Sequence, residues 1–395
     1  MGQVVLKKCD SYDDTSVLHA LKQVFNALGG IGKYIKPGTK VVLKPNLVRK
    51  KRPEEGATTH PSIIKNLSVL TKEAGGTVTI VESPGGLFTT SLLKGVYSYC
   101  GIESAANDSG AILNYDLSEI EINNPEGKYL KKVTVVKALK DADLIINLPK
   151  LKTHGQMVYT GAVKNMFGAV PGELKAEYHY RMSEYSEFAN ALIDIYLSVK
   201  PSLNIMDAII GMEGEGPTSG NPRHIGLIIA GEDAFDVDFT ALSIIGADPI
   251  SVPIIEQGID RKLCPDKIDQ INIIGQDIDI KDIKITDFDM PQLDTLNSIA
   301  FFSKGVLKFI TKRLKPRPMF DYDLCVGCAE CMRVCPAKVI SMRDKRDKRP
   351  EIDLSQCISC FCCQELCPHK AVFIKRHPII DIYIKHRRRK RLVKG

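Results

Sequence analysis

Between Cys325 and Pro368 the chain repeats one spacing twice: Cys325-Val-Gly-Cys328-Ala-Glu-Cys331-Met-Arg-Val-Cys335-Pro336, then Cys357-Ile-Ser-Cys360-Phe-Cys362-Cys363-Gln-Glu-Leu-Cys367-Pro368. Three thiolates so spaced hold three corners of a [4Fe–4S] cube, and in paired runs of this kind the fourth cysteine serves the other cube. The spacing therefore assigns Cys325, Cys328, Cys331 and Cys367 to one cluster, and Cys357, Cys360, Cys363 and Cys335 to a second. Each following proline turns the chain where no backbone N–H is needed. Cys362 is left over and reads as a non-ligand, with an exchange of roles with Cys363 left open.

Two other chemistries use cysteine in patterns. Zinc sites usually present paired C-x2-C knuckles, and disulfide frameworks suit small secreted domains that have no other core. Neither accounts for two matched runs of four, so the stretch from 320 to 376 is expected to be a small α+β ferredoxin-like domain with two [4Fe–4S] clusters.

The length of 395 residues suggests two or three domains, and 44% hydrophobic against 26% charged residues leaves material for a sizeable core. Cys9, Cys100 and Cys264 are scattered singly, which together with iron ligands points to a reducing cytoplasm. The N-terminus lacks the apolar core of a signal peptide, and no apolar run reaches membrane-spanning length. The expected location is therefore cytoplasmic. Residues 301–395 carry 23 Lys and Arg against 9 Asp and Glu, whereas residues 1–300 carry 31 against 38. The basic end remains positive after two cubes of charge about −2 each are added, so it should attract an acidic redox protein, a ferredoxin or a flavodoxin.

Residues 1–295 alternate short apolar runs with helical stretches. Lys40–Lys44, Gly76–Val81, Asp143–Asn147, Asn204–Asp207, Gly226–Ala230 and Ile271–Gly275 read as strands, and Ser62–Ala74 reads as a helix. This rhythm predicts an α/β domain with a mostly parallel sheet, whose ligands gather beyond the carboxyl ends of the strands. The polar stretches there are Lys44-Pro-Asn46-Leu-Val48, Glu82-Ser-Pro-Gly-Gly86, Asn147-Leu-Pro-Lys150-Leu-Lys152-Thr-His154, Thr160-Gly-Ala-Val-Lys164-Asn165-Met-Phe-Gly168 and Gly211-Met-Glu213-Gly-Glu215-Gly-Pro217.

Taken with Ala234-Phe-Asp-Val-Asp238 and Ile245-Gly246, this succession resembles the bacterial and archaeal family catalogued as domain of unknown function 362, often fused to a two-cluster ferredoxin. The resemblance covers most of residues 1–260. It implies an α/β fold and iron–sulfur proteins of mainly anaerobic metabolism, without naming a reaction.

Lysines placed beyond strand ends suit an anionic carboxylate, phosphate or enolate oxygen. The expected substrate anchors are Lys44, Asn46, Lys150, Lys152 and Asn165, and the expected catalytic groups are Lys164, His154 as acid, and Glu213 as base or as ligand of an additional divalent metal. Asp207 and Asp238 read equally well as helix caps. No nucleotide fingerprint is present to supply hydride. The leading expectation is thus an oxidoreductase that passes electrons through the clusters to a small anionic substrate. The alternative is a non-catalytic electron-transfer or maturation module whose α/β domain binds a partner protein. Residues 296–319 read as a basic amphipathic linker helix docked on the α/β domain, in preference to a peripheral membrane anchor. Residues 377–395 form a basic tail, and no nucleic-acid motif accompanies them, so nucleic acid is not the expected partner.

Overall fold

The computed structural model describes residues 2–275, 278–291, 315–343 and 349–375. The expected linker helix and basic tail fall almost wholly outside these residues. The chain divides into two compact units, Met1–Asp289 and Met290–Gly395.

The first unit is built on a mixed sheet. Its strands are β1 (Gln3–Lys8), β2 (Lys40–Pro45), β3 (Thr77–Ile80), β4 (Ile112–Leu113), β7 (Leu144–Leu148), β8 (Lys150–His154), β9 (Val158–Thr160), β10 (Leu203–Glu213), β11 (Asn221–Gly231) and β12 (Asn272–Ile274), while β5 (Glu119–Asn123) and β6 (Lys132–Val136) form a separate hairpin. The main order is β12-β1-β11-β10-β7-β2-β3-β4, with β8 and β9 added beside β10. Six of the pairings are parallel, and β11 runs antiparallel to both of its neighbours. The α/β class with a mostly parallel sheet holds.

Apolar alternation explains why these runs become buried strands. Val5, Leu43, Ile146, Ile205 and Ile228 join one core with Leu21, Phe25, Ile64 and Leu67 of the helices Asp14–Ala27 and Pro61–Glu73. Leu6, Met206 and Ile229, which alternate with them, are just as buried, so the sheet is covered on both faces. Each such side chain contributes roughly 1.5–3 kcal/mol. Helix starts are fixed locally. Asp13 accepts from the Ser16 N–H, and His60 Nδ1 accepts from the Ser62 N–H just ahead of Pro61 at the first helical position.

Three stretches depart from the sequence reading. Lys150–His154, read as a loop, is strand β8, paired with β10 and β9. The strand read at Asn204–Asp207 runs on to Glu213, because β11 pairs with it over almost its whole length. Arg317–Phe320, at the end of the expected linker, is strand β13.

In the second unit β13 pairs antiparallel with β16 (Val372–Lys375), and β14 (Ile340–Met342) pairs with β15 (Pro350–Ile352). Two one-turn helices, Glu330–Arg333 and Cys362–Glu365, complete the small α+β unit. The two cysteine runs repeat the same backbone. Gly327, Ala329 and Lys338 have positive φ in the first run, and Ser359, Phe361 and Lys370 have it in the second, each 32 positions on.

Candidate functional site

Alternating right- and left-handed backbone is able to turn successive N–H groups toward an anion. Each run borders a cleft. The first is lined by Cys325, Cys328, Cys331 and Cys367. The second is lined by Cys335, Cys357, Cys360 and Cys363. Cys362 is among the lining residues of neither. Thus each cleft takes three cysteines from one run and one from the other. Burial pushes the Cys331 thiol up to about 11, and the charges of Cys328, Cys367 and Cys325 add to that shift, as expected of four sulfurs around one cleft. The Ala371 N–H donates to Cys367 Sγ at 3.3 Å. Among the described residues no three His, Cys, Asp or Glu side chains converge on a point that suits a single metal ion.

The α/β unit holds a second concentration of polar groups. Lys44, Asn147 and Asn204 stand abreast on β2, β7 and β10, and Lys150 pairs with Asp207 on β8 and β10. Instead of facing solvent at a rim, these groups are enclosed and bonded to one another. Lys44 Nζ lies 2.9 Å from the Glu82 carboxylate and donates to the Pro45 carbonyl. Glu82 also accepts from the Leu47 and Ser83 N–H groups. Lys150 Nζ lies 2.8 Å from Asp207, and both partners are 0% exposed. Asp207 further accepts from Tyr12 Oη at 2.7 Å and from the His60 N–H at 2.9 Å. Desolvation lowers the pKa of both lysines, while the facing carboxylates hold their charge in place.

A chain of amides runs beside the pairs. Asn165 Nδ2 donates to Asn147 Oδ1, Asn46 Nδ2 donates to Asn165 Oδ1, and Lys152 Nζ donates to Asn46 Oδ1 and the Ala57 carbonyl. Asn147 Nδ2 reaches Asn204 Oδ1. Lys164 is buried on the short helix Ala162–Asn165, whose start is fixed by Asp238 accepting from the Ala162 and Val163 N–H groups and from Tyr159 Oη. Burial raises the Asp238 carboxyl to about 7 despite those three donors. His154 sits where β8 turns into β9. Its Nδ1 accepts from the Gln156 and Met157 N–H groups, which places the proton of the neutral ring on Nε2. Two residues beyond Gln156, Val158 has φ of 65°, a left-handed conformation rare for a β-branched residue. Glu213 ends β10, accepting from the Asp289 N–H at 3.1 Å with Arg223 at 3.9 Å.

The structure thus brings Asn46, Lys152 and Asn165 into one bonded array that reaches the Lys44 carbonyl, while Lys150 forms a separate group with Asp207 and Tyr12. Glycine is required beside the Lys44–Glu82 pair, since a Cβ on Gly168 would collide with the Glu82 carboxylate and Lys44 Nζ. Tyr12 was missed in the sequence. It lies in a short polar loop before a helix and carries no local sign of the contact it makes 195 residues away.

Burial lowers His60, stacked on Tyr12 at 3.6 Å, from 6.5 to about 4. A histidine kept neutral in the fold lends stability that is full above pH about 6.5 and is lost as pH falls toward 4. His60→Asn keeps a cap acceptor without the titration. Urea midpoints measured between pH 7 and 4.5 are expected to fall more steeply for the natural protein than for this variant, with a difference on the order of 2–3 kcal/mol. Parallel profiles would refute the assignment.

A family model described as Domain of unknown function (DUF362) matches residues 41–243, and one described as a 4Fe-4S dicluster domain matches residues 317–368. The chain is 34% identical over 260 residues to a protein of Synechocystis sp. (strain ATCC 27184 / PCC 6803 / Kazusa) named Thylakoid-associated protein sll1697, covering 63% of this chain and 76% of that one. Among solved structures, the lactate racemase apoprotein from Thermoanaerobacterium thermosaccharolyticum aligns with 59% of this chain and 54% of its own at 14% identity and a TM-score of 0.35, a likeness too slight to bear on function. The dicluster match makes the second unit an iron–sulfur electron-transfer domain. Among the described residues no helix is long and apolar enough to cross a membrane.

Proposed function

The chain belongs to the family described as Domain of unknown function (DUF362), and from that premise we propose an iron–sulfur oxidoreductase that draws electrons from an acidic redox protein through two [4Fe–4S] clusters to an anionic substrate at the α/β unit. The observation that carries this reading is the pair of clefts, each bordered by four cysteines with one drawn from the opposite run. Cys325, Cys328, Cys331 and Cys367 would hold one cluster, and Cys335, Cys357, Cys360 and Cys363 the other. Bound there, each cluster supplies one electron at a time.

In the α/β unit this reading divides the work among the polar residues. Lys44 and Lys150, neutralised by Glu82 and Asp207, fix the frame. Lys152 and Lys164, with Asn46 and Asn165, bind the anion, and the acid role of His154 is that of a neutral ring whose Nε2–H donates a hydrogen bond to the oxygen where negative charge grows. Glu213 acts as base or holds an additional divalent metal. Positive charge held in a low-dielectric interior stabilises an oxyanion far better than the same charge in water.

The buried pairs also favour a second reading. Cations already matched by carboxylates suit a rigid scaffold, so the α/β unit would serve as a docking domain for a protein partner in a non-catalytic electron-transfer or maturation module. Both readings place the protein in the cytoplasm.

Protein purified without oxygen is expected to hold about eight iron per chain, and on reduction to give cluster EPR signals that a pool of small carboxylates and phosphates discharges. Full loading with no response to the pool, alongside co-purification of a stoichiometric partner, would select the module. Iron well below eight would remove the two-cluster premise.

A further inference from the structure

The asparagines of the α/β unit use their amides within the fold: Asn46, Asn147, Asn165 and Asn204 each donate to a neighbouring side chain or carbonyl. Gln156 does not. It lies in the loop Gly155-Gln156-Met157 that joins β8 to β9, where His154 pairs with Val158, and it is 0% exposed. A glutamine at a hairpin tip ordinarily reaches water. Among the described residues neither its Oε1 nor its Nε2 has a hydrogen-bond partner, and no other buried amide side chain there is unbonded at both ends. The loop itself is held firmly. The Gln156 N–H donates to His154 Nδ1 at 3.0 Å. Thr153 Oγ1 donates to the Gly214 carbonyl at 3.0 Å and accepts from the Gly216 N–H at 3.2 Å, which ties the hairpin to the loop that follows β10. In that second loop Ser219 Oγ is likewise enclosed with no partner among the described residues.

We propose that Gln156 is a ligand-recognition residue of the α/β site, whose carboxamide hydrogen-bonds a small anion that itself carries a carboxamide. The inference rests on the anionic-substrate reading above and narrows its substrate class. Taking an amide out of water without partners is unfavourable, and a ligand that supplies the missing bonds recovers that cost on binding. The carboxamide presents one acceptor and two donors side by side. A carboxylate would engage only the donors and leave Oε1 unpaired, and an ammonium group would engage only the acceptor. A second carboxamide satisfies both ends at once. The position agrees with the site, since Lys152 and His154, the residues assigned above to the anion, stand on the same hairpin as Gln156.

The test uses the full chain, purified anaerobically, as the natural protein, Gln156→Met and Gln156→Asn. Its probes are matched anions that differ by a carboxamide in place of a methyl group: succinamate with butyrate, and phosphonoacetamide with ethylphosphonate. Calorimetric titration of the natural protein is expected to favour the amide of at least one pair by about tenfold or more. Gln156→Met should abolish that preference while leaving the affinity for the methyl probe within about twofold, and Gln156→Asn, whose amide falls one methylene short, should lie between. Without ligand, Gln156→Met should melt at the same temperature as the natural protein or higher, because an apolar chain of similar shape replaces an unbonded amide. Equal affinity for both members of each pair, or a preference that survives in Gln156→Met, would overturn the inference. So would a lower melting temperature in Gln156→Met, which would mean that the amide is already satisfied in the free protein. Binding of none of the four probes would fail the anionic-substrate reading itself, and the inference with it.

Discussion

Replacing Asp207 with alanine is expected to destabilise the α/β unit by about 4 kcal/mol, a large part of the 5–15 kcal/mol that holds a typical domain together. The carboxylate satisfies the Lys150 ammonium, the Tyr12 hydroxyl, the His60 N–H and, at 3.3 Å, the Ile209 N–H, all within the fold. Its removal strands a cation that has no route to water, and breaking one side of a buried pair costs roughly 3–5 kcal/mol. The cost is that of an uncompensated charge more than of a lost attraction, so removing both charges should hurt less than removing one. Lys150→Met combined with Asp207→Leu is therefore expected to recover much of the loss, although Tyr12 and His60 still lose an acceptor. Denaturant midpoints for the two single variants and the double variant check this. A change below about 1 kcal/mol in Asp207→Ala would mean that the pair is solvated and that this group is not the closed frame described here.

That frame also marks where sequence reading stopped. β2, β3 and β7 were legible because their apolar runs cannot be accommodated except inside a sheet. β8 was not, since Lys-Leu-Lys-Thr-His has the composition of an exposed loop. Its lysines are tolerated indoors only because Asp207 lies 57 residues away and Asn46 106 residues away, and such partners leave no local trace. The candidate residues were grouped by chain position near strand ends. Whether they are exposed or enclosed depends on the antiparallel pairing of β10 with β11 and on β8 folding alongside, neither of which follows from a window of sequence. The cysteine runs are the opposite case, because spacing along the backbone limits which sulfurs can surround one cleft. Even there the match was partial. Gly327 announces its positive φ by being glycine, whereas Ser359 and Phe361 reach the same conformation with nothing in their identity to signal it.

The crossing of the fourth cysteine between runs can be settled by removing cysteines in pairs, since two losses from one cluster should leave the other whole. If Cys335 serves the second cluster, Cys335→Ala with Cys357→Ala takes both losses from the same cleft, and about half of the natural iron should remain. Cys331→Ala with Cys335→Ala, two neighbours in a single run, should then damage both clusters and leave little iron. Ligation confined within each run gives the reverse order. A parallel pair, Cys328→Ala with Cys367→Ala against Cys363→Ala with Cys367→Ala, asks the same question of the other cluster. The effect should reach stability as well. Among the described residues of this unit, Ile340, Ala371 and Val372 pack among the cysteines themselves, so the cysteines are part of the core and cross-links through them should add to its stability. Iron–sulfur bonds then carry much of the folding free energy, and the variant that loses both clusters should be the one whose second unit is digested first by protease.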